Sequence, residues 1–135
     1  MKYEVGVCIQ TGWIVWINGP YPCGAWNDLR VAREALIFEL DENEYYLADS
    51  GYCDGNQYSV TPTGRYDFSD RQKTAARARH ETINSRLKNF DILKQTYRHP
   101  ITKHYSVFMS IAIITQLRIM NDDFVFNVDY NESEF

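Results

Sequence analysis

The first eighteen residues restrict the fold most. "KYEVGVCIQ" places Tyr3, Val5, Val7 and Ile9 at every second position, the period of a strand with one face on a core. Thr11-Gly12 is a turn signal, and "WIVWIN" is a second apolar, β-prone run. Residues 3–18 therefore read as a β-hairpin. "GPYPCG" (19–24) then carries two glycines and two prolines and is expected to break regular structure.

The rest of the chain alternates helix and strand signals. Asn27 is a good N-cap, and a helix to about Leu40 places Leu29, Ala32, Leu36 and Leu40 on one stripe. "YYLA" is a short apolar run ending abruptly in "DSGY", the mark of a third strand. Residues 53–68 are rich in Gly, Asn, Thr and Pro and read as loop. Ser69 is placed to cap a long helix to about Phe90. Pro100 opens a last helix, whose stripe is Ile101, Tyr105, Phe108, Ala112 and Thr115. The order strand, strand, helix, strand, helix, helix is α/β, with the third strand parallel to a neighbour. Three strands make a thin sheet.

Length and composition limit the function classes. A chain of 135 residues is one domain, and 44% hydrophobic residues with 15% aromatic is a globular composition. No stretch approaches the roughly 18–20 apolar residues of a membrane span, so no membrane partner is expected. "MKYEVGVCIQ" lacks the pattern of a secretory signal. Cys8, Cys23 and Cys53 are odd in number and widely spaced, which argues against a disulfide framework and for the cytoplasm or nucleus. No CxxC pair is present to hold zinc.

The net charge of −4 conceals an asymmetry. Residues 65–103 carry ten basic and four acidic side chains, while the C-terminal "NDDFVFNVDYNESEF" has five acids and no base. A basic block in an acidic chain is an electrostatic footprint for a polyanion; a solvated mixed-charge helix face is the plainer account.

Three carboxylates stand out. Asp49 follows "YYLA" directly, at the carboxyl end of a strand, where ligand sites in open α/β sheets gather. A simple turn role is the alternative. Asp28 sits in the first turn of a helix, where it also suits the helix dipole. Glu81 lies mid-helix. At about 100° per residue, Arg77, Glu81 and Lys88 share one narrow stripe, beside the more apolar stripe of Ala76, His80, Ile83, Leu87 and Phe90. An ordinary ion pair with Arg77 is the plainer reading of Glu81. Trp13, Trp16 and Trp26 read as packing aromatics, and His99 and His104 as structural.

"GPYPCGAWNDLRVAREAL", "YYLADSGY", "TPTG" and "ARARHETINSRLKNFDIL", in that order, resemble the DDE endonuclease domain of Harbinger-type transposases and the nucleases derived from them. The resemblance covers about residues 2–118, leaving 119–135 as an acidic C-terminal tail. It implies an RNase H-like mixed sheet flanked by helices. Asp28, Asp49 and Glu81 match the family's acidic positions, with Arg77 four before and Lys88 seven after the glutamate; Thr74 replaces a tyrosine often found three before the arginine. The implied chemistry is metal-dependent cutting and joining of DNA, with Mg²⁺ (Mn²⁺ as the alternative) held by Asp28, Asp49 and Glu81. Arg77, Arg86 and Lys88 are then expected at DNA phosphates. A separate DNA-binding protein is a candidate partner.

One departure is severe. The family's first catalytic aspartate lies on a central strand upstream of the segment matched by "YEVGV", and this sequence begins "MKYEVG". The fold is thus expected to be incomplete, and Glu4, inside a strand, does not look like a replacement. Two functions follow: a DDE endonuclease domain impaired by the missing aspartate, or a non-catalytic remnant that binds nucleic acid or a protein partner.

Overall fold

The computed structural model describes residues 1–55, 57–61, 70–121 and 123–127. The hairpin forms as its alternation requires. Strands β1 (Lys2–Val7) and β2 (Ile14–Tyr21) pair antiparallel, with Val5 opposite Ile17 and Glu4 opposite Asn18. The turn is closed by Cys8 N–H to Trp13 O at 2.9 Å and Gly12 N–H to Cys8 O at 2.8 Å. Gly12 adopts φ +73°, a conformation that glycine enters without steric cost. The expected break at Gly19 does not occur: β2 runs through Gly19 and Pro20 to Tyr21. Both strands are edges of a two-stranded sheet, and an edge strand tolerates a missing N–H.

The hairpin's two faces do different work. Tyr3, Val5, Val7, Ile14 and Ile17 pack on a core built from Ile83, Leu87, Phe108, Ile111, Ala112, Ile119 and Val125. These core residues belong to α3 (Asp70–Lys88), α5 (His104–Asn121) and the segment after it. The Tyr3 ring stacks on Phe108 at 3.8 Å, and its hydroxyl shares a 2.8 Å hydrogen bond with His104 Nδ1. On the other face, Lys2 reaches the start of α1 (Asp28–Glu34), and Trp16 donates its indole N–H to Glu4 Oε2 at 2.8 Å.

Several boundaries differ from the sequence expectation. The helix expected to reach Leu40 is interrupted at Ala35, giving α1 and the single turn α2 (Leu36–Glu39); no residue there signals the break. The last helix begins with a 3-10 turn, Ile101–Lys103, and only then becomes α5. Phe108, Ala112 and Thr115 of its expected stripe are buried, whereas Ile101 and Tyr105 are exposed. An unexpected short helix, α4 (Asp91–Lys94), follows α3. Ser69, the expected cap of α3, lies outside the described residues.

The third strand, β3 (Tyr46–Leu47), has its parallel partner in the segment read as loop: β4 (Ser59–Val60). The result is a mixed α/β molecule with two two-stranded sheets rather than one continuous sheet. β4 escaped notice because Ser59 and Thr61 are polar yet buried beside Val60, so no apolar alternation marks them. Asp54 organises the approach. Its carboxylate accepts from the N–H groups of Gln57 (3.1 Å), Tyr58 (2.9 Å) and Ser59 (3.2 Å) and from Ser59 Oγ (2.8 Å).

Burial pulls the Asp54 pKa upward, but those hydrogen bonds, led by Ser59, outweigh it and hold the carboxyl below its ordinary value. A depressed folded-state pKa means that the stabilisation is present above the unfolded pKa and is lost as pH falls through the folded one. Asp54→Ala should therefore cost about 2 kcal/mol at pH 7. The gap between parent and variant in urea unfolding should narrow below about pH 4. A gap that stays constant down to pH 2 would show that the charge contributes nothing.

The segment after α5 was expected to be loose. Its described part, 123–127, is instead fastened: Val125 is buried, Arg86 bonds to Asp123 O and to Phe124 O (3.3 Å), and Arg86 also pairs with Asp123 Oδ1 at 3.2 Å. Among the described residues no helix is long and apolar enough to cross a membrane.

Candidate metal centre

Asp28 is set by the loop before it. Asn27 caps α1, accepting the Arg30 N–H at 2.8 Å, which fixes Asp28 in the first turn. Trp26 packs on Tyr21 with centroids 4.6 Å apart, and the Arg30 guanidinium lies 4.0 Å over the Trp26 ring. Lys2 Nζ then donates to Trp26 O at 3.0 Å and to Asp28 Oδ1 at 2.7 Å. Asp28 is thus an ion-pair partner as well as a helix-start residue.

Asp49 follows β3 and starts the 3-10 turn Ser50–Tyr52, accepting the Gly51 N–H at 2.8 Å. Gly51 is what brings the two acids together. A Cβ there would stand 2.7 Å from Asp28 Oδ2 and 3.0 Å from Asp49 Oδ1. The two oxygens are therefore no more than about 5.7 Å apart, the sum of those distances. Any side chain at position 51 would intrude between the carboxylates.

Beneath them lies Glu4, which the sequence reading set aside. It is 5% exposed, and its Oε1 is buried without a hydrogen-bond partner. Burial raises its pKa, nearby Trp16, Asn18 and Tyr52 lower it, and the Asp28 charge raises it further; the net direction is up. Tyr52 feels the same cluster: burial, then the charges of Glu4, Asp28 and Asp49, push its hydroxyl pKa well above the ordinary value. Glu4 shares the polar side of the β1 alternation with Lys2. A sequence pattern assigns such a position to solvent, and only the arrival of α1 and the Ser50–Tyr52 turn buries it.

Glu81 lies on α3, which packs against both β1 and β3. Its neighbour His80 donates Nε2–H to Val5 O at 2.9 Å and accepts from Asn84 Nδ2 at 3.3 Å, so His80 is committed to covering the β1 backbone. Glu81, Arg77 and Lys88 are all exposed, and among the described residues the expected Glu81–Arg77 ion pair is not formed. Arg86 is engaged by the segment after α5, and Arg79 is interior, so less of the basic block faces solvent than its sequence suggests. Asp28 and Asp49 converge; among the described residues no group of three or more Asp, Glu, His or Cys stands close enough to hold a metal ion.

A family profile described as DDE superfamily endonuclease matches residues 1–116, most of the chain. The chain belongs to the DDE superfamily endonucleases. No match was found among curated proteins or among solved structures. DDE endonucleases act on DNA and generally use divalent metals. The residues present suit such an ion in two respects. The Gly51 notch lets two hard oxygen donors approach each other, and Glu4 adds a buried carboxylate oxygen with no partner.

Proposed function

We propose that this chain is a transposase-derived nuclease domain of the Harbinger type, with Asp28, Asp49 and Glu81 as divalent-metal ligands. The observation that carries the reading is the convergence of Asp28 and Asp49 on Gly51. Two residues about twenty apart in sequence have no packing reason to aim like charges at one point, since clustered carboxylates repel. A bound divalent ion activates water or a 3′-hydroxyl and stabilises the leaving oxygen of the phosphodiester. Mg²⁺ suits these oxygen donors, with Mn²⁺ the alternative. Arg77 and Lys88, exposed on the Glu81 stripe, would hold neighbouring phosphates.

Two converging carboxylates make a weaker site than three, so the isolated chain should bind Mg²⁺ weakly and leave DNA uncut. That expectation supports the second reading, a non-catalytic remnant that still binds DNA. Both are tested on one random-sequence duplex. Binding should be sequence-independent, because phosphate contacts carry no base information. An Arg77→Ala/Lys88→Ala double variant should flatten the slope of log affinity against log salt by about two, from about 0.9 per phosphate released. A salt-independent affinity, or a double variant that binds like the parent, overturns the DNA role of α3. Mg²⁺-dependent nicking abolished by Glu81→Gln would establish the enzyme and remove the non-catalytic alternative.

A further inference from the structure

The acidic pair already carries a cation. The Lys2 ammonium lies 2.7 Å from Asp28 Oδ1, the oxygen on the opposite side of the carboxylate from Gly51, with Trp26 O as its second acceptor at 3.0 Å. The other nearby cation, Arg30, is occupied over the Trp26 ring and by Ala25 O at 3.2 Å. One ammonium therefore stands among Asp28, Asp49 and Glu4, the last of them 5% exposed with Oε1 unpartnered. Negative charge exceeds what Lys2 supplies, and one of the acids is out of reach of water's screening.

We infer that the Lys2 ammonium is a built-in counter-ion of the Asp28–Asp49 pair, and that a divalent cation binds by displacing it from Asp28. The inference rests on the metal-site reading above. The physical reason is crowding of charge. A cation bonded to an Asp28 oxygen at about 2.1 Å would sit within a few ångströms of the ammonium, and like charges that close in a partly dry site repel strongly. Lys2 can leave because its side chain is about one-third exposed and ends a flexible four-carbon stem. The exchange replaces one positive charge by two, which answers the excess of carboxylate. While Lys2 occupies Asp28, the competent site is only a fraction of the population, and apparent metal affinity falls by that fraction. Lys2 thereby sets the metal concentration at which the site loads, and keeps the carboxylates together before it does.

The test is Mn²⁺ binding to the full chain, followed by the electron paramagnetic resonance signal of free Mn²⁺ at low ionic strength. Lys2→Met should bind Mn²⁺ about tenfold more tightly than the parent. Lys2→Arg, which keeps the charge, should stay near the parent. Asp28→Asn should weaken binding in the parent and in the Lys2→Met background. Thermal unfolding of each variant checks the fold. If the Lys2→Met variant is poorly folded, amine labelling of the parent gives the same answer: Lys2 should label faster with Mn²⁺ present. Equal Mn²⁺ affinity in parent and Lys2→Met, or labelling unchanged by Mn²⁺, overturns the counter-ion role while an effect of Asp28→Asn leaves the metal site standing. If Asp28→Asn changes nothing, the metal-site reading falls, and the counter-ion role with it.

Discussion

Replacing Arg79 by methionine should destabilise the protein by about 3 kcal/mol, as two charge-assisted hydrogen-bonding sites are lost and their acceptors stay buried. Arg79 is 2% exposed, on the inner side of α3. Its guanidinium bonds to Ile9 O in the hairpin turn and, through Nε (3.1 Å) and Nη2 (2.5 Å), to Phe126 O after α5. It thus ties together three stretches far apart in sequence. Burial lowers its pKa, although the guanidinium remains charged at any ordinary pH. Methionine fills much of the same volume but donates nothing, so both carbonyls lose their partner. Relief from burying a charge offsets part of the loss, which is why the figure is not larger. Thermal unfolding should fall by about 10 °C for a chain of this size. Arg79→Lys should recover only part of it, since an ammonium cannot present the same planar fork to both carbonyls. A loss under about 0.5 kcal/mol, the ordinary range of a surface substitution, would show that the interior placement of Arg79 is wrong.

Gly51→Ala should separate stability from metal binding. The new Cβ would meet Asp28 Oδ2 at 2.7 Å and Asp49 Oδ1 at 3.0 Å, closer than carbon and oxygen tolerate. The atoms in the way are the tips of side chains, so the carboxylates can swing aside and the fold survives. Asp28 can follow Lys2, its existing partner, away from the notch. The expected outcome is a change in unfolding free energy below about 1 kcal/mol. Divalent-ion affinity should drop at least about tenfold, equal to about 1.4 kcal/mol, because the two donors no longer share a point. Calorimetric titration with Mn²⁺ and urea unfolding of the same preparation measure both quantities. Unchanged affinity would mean that the convergence of Asp28 and Asp49 has no part in holding a cation.

These two residues show what a sequence can and cannot disclose. The hairpin was legible because period-two alternation with Thr11-Gly12 between two apolar runs has few other solutions. The start of α1 was legible because Asn27 is a local cap whose bond to Arg30 N–H spans three residues. Asp28, Asp49 and Glu81 could be named because they sit in spaced motifs, and the family match over residues 1–116 agrees with those motifs. By itself, then, the sequence determined the local elements and the membership of the family.

Tertiary structure decided the rest, because burial belongs to a place and not to a residue type. Arg79 and Arg86 read as members of one basic block, yet each is drawn to backbone carbonyls of a segment nearly forty or more residues away. Glu4 read as the solvent side of a strand until α1 and the Ser50–Tyr52 turn closed over it. Ser59-Val60 read as loop because its strand character comes from Asp54 and from a partner strand, not from its own apolar pattern. The nearness of Asp28 to Asp49 depends on the one atom that Gly51 lacks, and no spacing rule reports the distance between two side chains on different elements.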